Sequence, residues 1–316
     1  MAIYLVTGAA GFIGSNIVEE LVRRGEQVRA LDNLSTGRIS NLAPFMSSIE
    51  FVQGDLTDET TLRQAMLGVD YVLHQAALPS VPRSVKDPLS SHEANATGTL
   101  KLLIAAREAG VRRVVYASSS SVYGDSPTLP KREDMPTRPL SPYAVNKLAG
   151  EEYCKVFTRV YGLPTVALRY FNVFGPRQDP TSQYAAVIPA FISTMLRGGR
   201  PTIYGDGLQT RDFTYVSNVV RANLLACQSG PAVGLAVNVA CGDRISLLDL
   251  VASLNTILGT ETRPMFEPER QGDVKHSLAD ISLAAETLGY QPVVGLEEGL
   301  ARTAASLRTV LNEHRN

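Results

Sequence analysis

Thr7-Gly8-Ala9-Ala10-Gly11-Phe12-Ile13-Gly14 decides the fold. The run before it, Ile3–Val6, is apolar and β-branched. The run after it repeats Ile13, Ile17, Val18, Leu21 and Val22 at helical spacing and stops at Gly25. A strand, a glycine turn, a helix and a second apolar run at Val28–Leu31 make a βαβ unit, and the turn lies where backbone N–H groups and a helix N-terminus can hold a pyrophosphate. The spacing is G-x-x-G-x-x-G, not the more familiar G-x-G-x-x-G, so the context has to carry the reading. Asp32 supplies that context. It closes the second run about 20 residues after the turn, where a carboxylate accepts from a ribose 2′-hydroxyl and repels a 2′-phosphate, which favours NAD over NADP.

Working outward, apolar runs at Ile49–Val52, Tyr71–Leu73, Val114–Ala117 and Val166–Leu168 alternate with helical patterns. That rhythm predicts an α/β chain with a doubly wound, Rossmann-type parallel sheet. Beyond Arg169 it loosens into segments rich in Pro and Gly. Residues 1–169 are therefore expected to form a dinucleotide-binding domain and residues 170–316 mainly a smaller substrate lobe, with some chain returning to the sheet. Gly54-Asp55-Leu56 and Gln75-Ala76-Ala77 follow the third and fourth runs, where adenine and nicotinamide ribose would lie; as bare residues they read equally well as loop.

The bulk numbers narrow the function classes. The 316 residues carry a net charge of -1 and are 19% charged, so no global field draws the chain onto nucleic acid or an anionic membrane. The three cysteines, Cys154, Cys227 and Cys241, have no metal or disulfide spacing, which suits a reducing, cytoplasmic setting, and the four histidines show no ligand pattern, so no metal is expected. No apolar stretch approaches the roughly 18 residues of a transmembrane span.

Ser141-Pro142 opens a helix, Ser as N-cap and Pro as first helical residue, and Tyr143 and Lys147 then share one face. A phenol beside an ammonium and a cationic nicotinamide can act as a base although its reference pKa is near 10. Upstream, Ser118-Ser119-Ser120-Ser121 ends the fifth run and puts hydroxyls at the carboxyl end of the sheet. Tyr-x-x-x-Lys alone is commonplace; its company gives it weight.

In this order the motifs resemble the extended short-chain dehydrogenases/reductases over nearly the whole chain, through Thr-Gly-x-x-Gly-x-x-Gly, Asp32-Asn33-Leu34, the serine run, Tyr143-x-x-x-Lys147 and Arg169-Tyr170-Phe171-Asn172-Val173-Phe174-Gly175-Pro176. Within that family the chain is most similar to UDP-sugar 4-epimerases. The resemblance implies bound NAD, contacted by Gly8, Gly11, Phe12, Ile13, Asp32, Asn33, Ser35, Thr36, Gly37, Asp55, Leu56, Gln75, Ala76, Ala77, Asn95, Tyr143, Lys147, Tyr170 and Val173. It makes Ser119, Tyr143 and Lys147 catalytic. It places Ser80, Ser120, Ser121, Asn172, Ala186, Val187, Tyr204, Arg211, Arg270, Asp273 and Ser277 around the UDP-sugar, with Ser277 where epimerases restricted to non-acetylated sugars carry a bulky Tyr.

The implied reaction oxidises C4 to a ketone, turns the sugar over and reduces it from the other face, on UDP-GlcNAc/UDP-GalNAc and also UDP-Glc/UDP-Gal. A UDP-glucuronate 4-epimerase is the alternative. Dehydratases and decarboxylases of the family carry a carboxylate in the turn where this chain has Ser119-Ser120-Ser121, and a catalytically silent NAD-binding protein would not need Tyr143, Lys147 and Ser119 together. Helices near His92–Ala109 and Tyr143–Tyr161 form the dimer contact in similar proteins, so a homodimer is expected.

Overall fold

The computed structural model describes residues 1–180, 186–269 and 275–313. Seven parallel strands form the central sheet: β1 (Ile3–Thr7), β2 (Gln27–Asp32), β3 (Ile49–Gln53), β4 (Tyr71–His74), β5 (Arg113–Ser119), β6 (Thr165–Tyr170) and β7 (Ala236–Val239). They lie side by side in the order β7-β6-β5-β4-β1-β2-β3. Chain order reverses between β1 and β4, and a crevice opens there at the carboxyl ends of the strands, where ligands of doubly wound sheets bind.

Side chains alternate across the sheet and meet an apolar layer on each face. On one, Val6, Leu73, Val115 and Leu168 pack with Ile17, Val18 and Leu21 of the helix Phe12–Arg23; on the other, Leu5, Val72, Val114 and Ala167 pack with Leu102, Leu103, Cys154 and Phe157. All six runs read in the sequence are strands of this sheet. Gly25, at φ +74°, follows the first helix as expected.

Chain beyond residue 170 rejoins the sheet in more pieces than the sequence pattern separates. The helix Val216–Gln228, strand β7 and the helix Ser282–Leu288 all contribute to the layer around Ile17. The remaining chain builds a second apolar cluster from Ile188, Phe191 and Ile192 of the helix Val187–Leu196, Leu250 and Leu254 of Leu247–Leu258, and Leu300 and Leu307 of Leu296–Glu313. Two short strand pairs belong to this part of the chain: Val173–Phe174 with Thr214–Tyr215, and Thr210–Arg211 with Ile245–Ser246. Among the described residues no helix is long and apolar enough to cross a membrane.

The helical stretch near His92–Ala109 is made of three pieces. Pro88–His92 runs into a π-helical turn, Glu93–Thr97, before the helix Gly98–Glu108. Such turns are rare and are tolerated where a side chain gains by them. Here Asn95 gains: its Oδ1 accepts from the Leu78 N–H at 2.7 Å and its Nδ2 donates to the Leu78 carbonyl at 3.1 Å.

Candidate active site

The glycine turn is held by close backbone approach. Gly8 sits at φ +64°, and a Cβ there would lie 2.7 Å from Ala76 Cα. Gly11 is the N-cap of the first helix and brings no side-chain cap, so the helix's first N–H groups are left for an anion. Asp32, 7% exposed, accepts from Ala10 N–H at 2.9 Å through one oxygen and from Leu34 N–H at 2.8 Å through the other. Each oxygen keeps a second acceptor position. Burial raises its pKa against those two bonds. Next to it, Asn33 Nδ2 donates to Asp55 Oδ2 at 2.6 Å, which ties the loop after β2 to the loop after β3.

These groups line one cavity of about 1080 Å³ that runs from Asp32, Asn33 and Asp55, past Gly8 to Gly14, to Tyr143 and Lys147. A dinucleotide fits its chemistry: acceptors for a ribose at one end, open backbone donors in the middle and a phenol and a cation at the other. Gly11, Phe12, Ile13, Ser35, Thr36, Gly37, Leu56, Gln75, Ala76, Ala77 and Tyr170 also stand on its wall. Gln75 does so with its side chain tied back, Nε2 to Asn223 at 3.0 Å and Oε1 accepting from Tyr170 at 3.1 Å.

Two expected contacts lie elsewhere. Asn95 is buried behind the wall, clasping Leu78, and Val173 sits in the short strand beside Thr214–Tyr215. The structure adds groups that the sequence reading missed. Arg38, Asn41, Arg177 and Asp179 line the same cavity, with Arg38 Nη2 2.6 Å from Asp179 Oδ2 across 141 residues of chain.

At the other end, Ser141 caps its helix as expected, accepting from Ala144 N–H at 3.2 Å. Ser84 accepts from the backbone N–H of Tyr143 at 3.0 Å and fixes where the helix begins. Tyr143 is half-buried on the cavity wall, with its hydroxyl facing Ser119 at the end of β5. Burial pushes the phenol up to about 12, with Ser119 pulling the other way. Lys147 is 4% exposed; its Nζ donates to the Ala117 carbonyl at 2.8 Å and stands 5.9 Å from the Tyr143 ring centre. Burial lowers it to about 8. In the protein alone Tyr143 therefore holds its proton at neutral pH, and a further positive charge beside it is needed to free the phenolate.

Ser80 lines the cavity in a strained backbone (φ +102°), capping its short helix by accepting from Arg83 N–H at 3.2 Å. Ser120 and Ser121 form the turn after Ser119, and the buried Ser121 hydroxyl has no partner among the described residues. Asn172 (φ +33°) donates to the Asp212 carbonyl at 2.9 Å and to Ser277 Oγ at 3.2 Å. Arg211 donates to the Thr210 and Lys275 carbonyls, each at 3.0 Å, so Asn172, Arg211 and Ser277 form one cluster. Ala186 and Val187 begin the helix Val187–Leu196, and Tyr204 ends the strand Thr202–Tyr204. None of these second-lobe residues joins the cavity wall traced above. Arg270 and Asp273 lie outside the described residues.

Behind the wall, His74 is 1% exposed between two threonines, Nδ1 2.7 Å from Thr7 Oγ1 and Nε2 3.0 Å from Thr99 Oγ1. Thr99 gives its own proton to the Asn95 carbonyl at 2.6 Å, so Nε2 is the donor and Nδ1 accepts from Thr7. Burial, with the charge of Lys147 adding to it, lowers His74 to about 3. Below about pH 6.5 the unfolded chain takes a proton here that the folded chain refuses, so stability is lost as pH falls, by about 1.4 kcal/mol per pH unit from this group. Urea unfolding of His74→Gln is expected to show a flatter acid slope than the parent; equal slopes would contradict the assignment.

A doubly wound sheet with this crevice, and a tyrosine, lysine and serine at its wall, defines a nucleotide-cofactor enzyme of the extended Rossmann class. The sequence profile of the NAD dependent epimerase/dehydratase family matches residues 4–240, and the chain belongs to that family. It is 43% identical to the UDP-glucose 4-epimerase of Mycolicibacterium smegmatis over 96% of this chain and 98% of that one. The fold superimposes on the UDP-N-acetylglucosamine 4-epimerase of Methanobrevibacter ruminantium, solved with UDP-N-acetylmuramic acid, with a TM-score of 0.94 at 42% identity, covering 98% of this chain and 99% of the other. It also matches the UDP-glucuronic acid 4-epimerase of Bacillus cereus, solved with UDP-glucuronic acid and NAD, with a TM-score of 0.89 at 34% identity, covering 98% and 99%.

Proposed function

We propose that the protein is a UDP-sugar 4-epimerase that works on bound NAD, with UDP-GlcNAc and UDP-GalNAc as its main pair and UDP-Glc and UDP-Gal as further substrates. The observation that carries the activity is Tyr143 beside Lys147 on the wall of a cleft suited to a dinucleotide, with Ser119 facing the phenol. NAD supplies a reversible hydride acceptor there. As a phenolate, freed by the positive charge beside it, Tyr143 would take the sugar 4-hydroxyl proton, with Ser119 assisting, and give it back after the sugar has turned. Lys147, anchored on Ala117, holds positive charge beside the phenol. The turn Ser120–Tyr123 offers hydroxyls and no carboxylate, which favours epimerisation over dehydration.

We assign residues 170–316 mainly to the UDP-sugar, with Arg211 and Arg270 for the diphosphate, a pairing that suits guanidinium geometry. Ser277, small and turned to Asn172, leaves the room that an N-acetyl group needs. The test is interconversion of UDP-Glc, UDP-GlcNAc and UDP-glucuronate by protein given no NAD. Turnover of the first two supports the reading; turnover of the uronate alone makes the protein a glucuronate epimerase, and no product from any of them refutes the activity. Ser277→Tyr is expected to cut kcat/KM for UDP-GlcNAc about 100-fold while sparing UDP-Glc. Equal loss on both would refute the size filter.

The same reading includes a homodimer. Val145, Tyr153, Val156 and Val160 leave an exposed apolar stripe along the helix Pro142–Tyr161, with Ile104 on the helix Gly98–Glu108. Spacings of eight, three and four residues keep the stripe on one face, and a second copy would cover it. A sedimentation mass of a single chain would overturn this.

A further inference from the structure

The helix Pro142–Tyr161 meets the end of β5 through three side chains, each one turn beyond the last. Tyr143 faces Ser119, Lys147 donates to the Ala117 carbonyl at 2.8 Å, and Glu151 accepts from Ser118 Oγ at 3.0 Å. The third rung is charged and wholly buried: Glu151 is 0% exposed. Arg169 of β6 grips it with two bonds, Nε to Oε2 at 3.0 Å and Nη2 to Oε1 at 2.5 Å. Lys155 adds a contact at 3.2 Å, and these cations hold the carboxyl below its usual range in spite of burial.

The other arm of Arg169 reaches the turn that follows Ser119. Its Nη1 donates to the Tyr123 hydroxyl at 2.8 Å, and that hydroxyl donates to Asn238 Oδ1 of β7 at 2.7 Å. Ser119 therefore lies between two anchors of one ion pair: Ser118, held by Glu151, and Tyr123, held by Arg169. A buried ion pair is weak evidence for stability, because well-packed apolar replacements are often as stable. Placement is the better account of why the charges are here.

We infer that Glu151 and Arg169 are positioning residues for proton transfer: they fix Ser119, and through it the Tyr143 hydroxyl, in the register from which a proton moves. This rests on the reading of Tyr143 as the proton-transfer group. A misplacement of about 1 Å at such a site costs roughly 100-fold in rate.

The test replaces both charges with apolar groups of similar size, Glu151→Leu with Arg169→Met, in the NAD-bound protein. Three quantities are read: kcat against KM on UDP-GlcNAc or UDP-Glc, bound NAD, and the ultraviolet titration of the Tyr143 phenol against a Tyr143→Phe control in the same background. The expected result is NAD and KM within about twofold of the parent, kcat lower by about 100-fold, and a phenol that ionises at higher pH as Ser119 shifts away from it. Native kcat with an unmoved phenol titration would overturn the inference, as would a change in KM alone.

If the double variant does not fold, Ser118→Ala decides, since it removes one rung and leaves the ion pair whole. It is expected to lower kcat about fivefold at unchanged KM and melting temperature, and an unchanged kcat would overturn the inference. If the parent turns over no UDP-sugar, the epimerase reading fails by itself. The phenol titration of the double variant, or of Ser118→Ala where the double does not fold, then judges the positioning: a shifted midpoint upholds it and an unmoved one rejects it.

Discussion

Replacing Tyr143 by Phe is expected to lower kcat by about 1000-fold while the protein keeps its fold and its bound NAD. The change removes one oxygen. Lys147 stays on the Ala117 carbonyl, and Ser84 still receives the backbone N–H at position 143, so the helix start does not move. What disappears is the phenol facing Ser119, and with it the group proposed to accept and return the 4-hydroxyl proton.

The pH dependence gives the same assignment a second signature. Burial raises the Tyr143 phenol and the charge of bound NAD draws it back down, so its phenolate grows as pH rises and the parent's rate climbs from the acid side. Lys147 gives up its proton near 8, which withdraws the supporting charge and ends the climb there. The residual rate of Tyr143→Phe is expected to lack the acid limb. Near-parental kcat in the variant, measured on whichever UDP-sugar the parent turns over, would end the case for Tyr143.

Much of this was legible in the sequence because the signals are local. Gly8 to Gly14, Asp32 and the Ser141–Lys147 helix start each lie within one turn or one βαβ unit, and periodicity places their side chains without knowledge of the rest of the chain. What escaped the reading depends on distant chain segments meeting. Strand β7 is only Ala236–Val239, with a buried Asn238 that breaks the apolar run. The π-helical turn at Glu93–Thr97 follows from Asn95 finding Leu78, 17 residues away. Glu151 looks in sequence like a charge on the solvent face of a helix, and only Arg169 arriving on β6 turns it inward. Asn172, Arg211 and Ser277 were identified through resemblance alone, since nothing local brings them together.

The second large effect belongs to the glycine turn. A Cβ on Gly14 would stand 2.1 Å from the Gly8 carbonyl oxygen, 2.8 Å from the Gly8 carbonyl carbon and 2.9 Å from Ala9 Cα. All three are backbone atoms, so no rotamer relieves the clash and the helix has to move away from the strand. Gly14→Ala is therefore expected to cost about 3 kcal/mol of stability, at the upper end for overpacking, and to weaken NAD binding at least about 100-fold, because the open N–H groups of that helix move with it. Gly25→Ala is the control. Its Cβ would meet nothing within 4 Å, so at φ +74° it bears only the left-handed backbone cost of about 1–2 kcal/mol, and its NAD binding should be unchanged. Urea unfolding and a fluorescence titration with the dinucleotide read both quantities. If Gly14→Ala binds NAD as Gly25→Ala does, the pyrophosphate does not sit on the turn, and the N-terminal motif is a packing device with the cofactor held elsewhere.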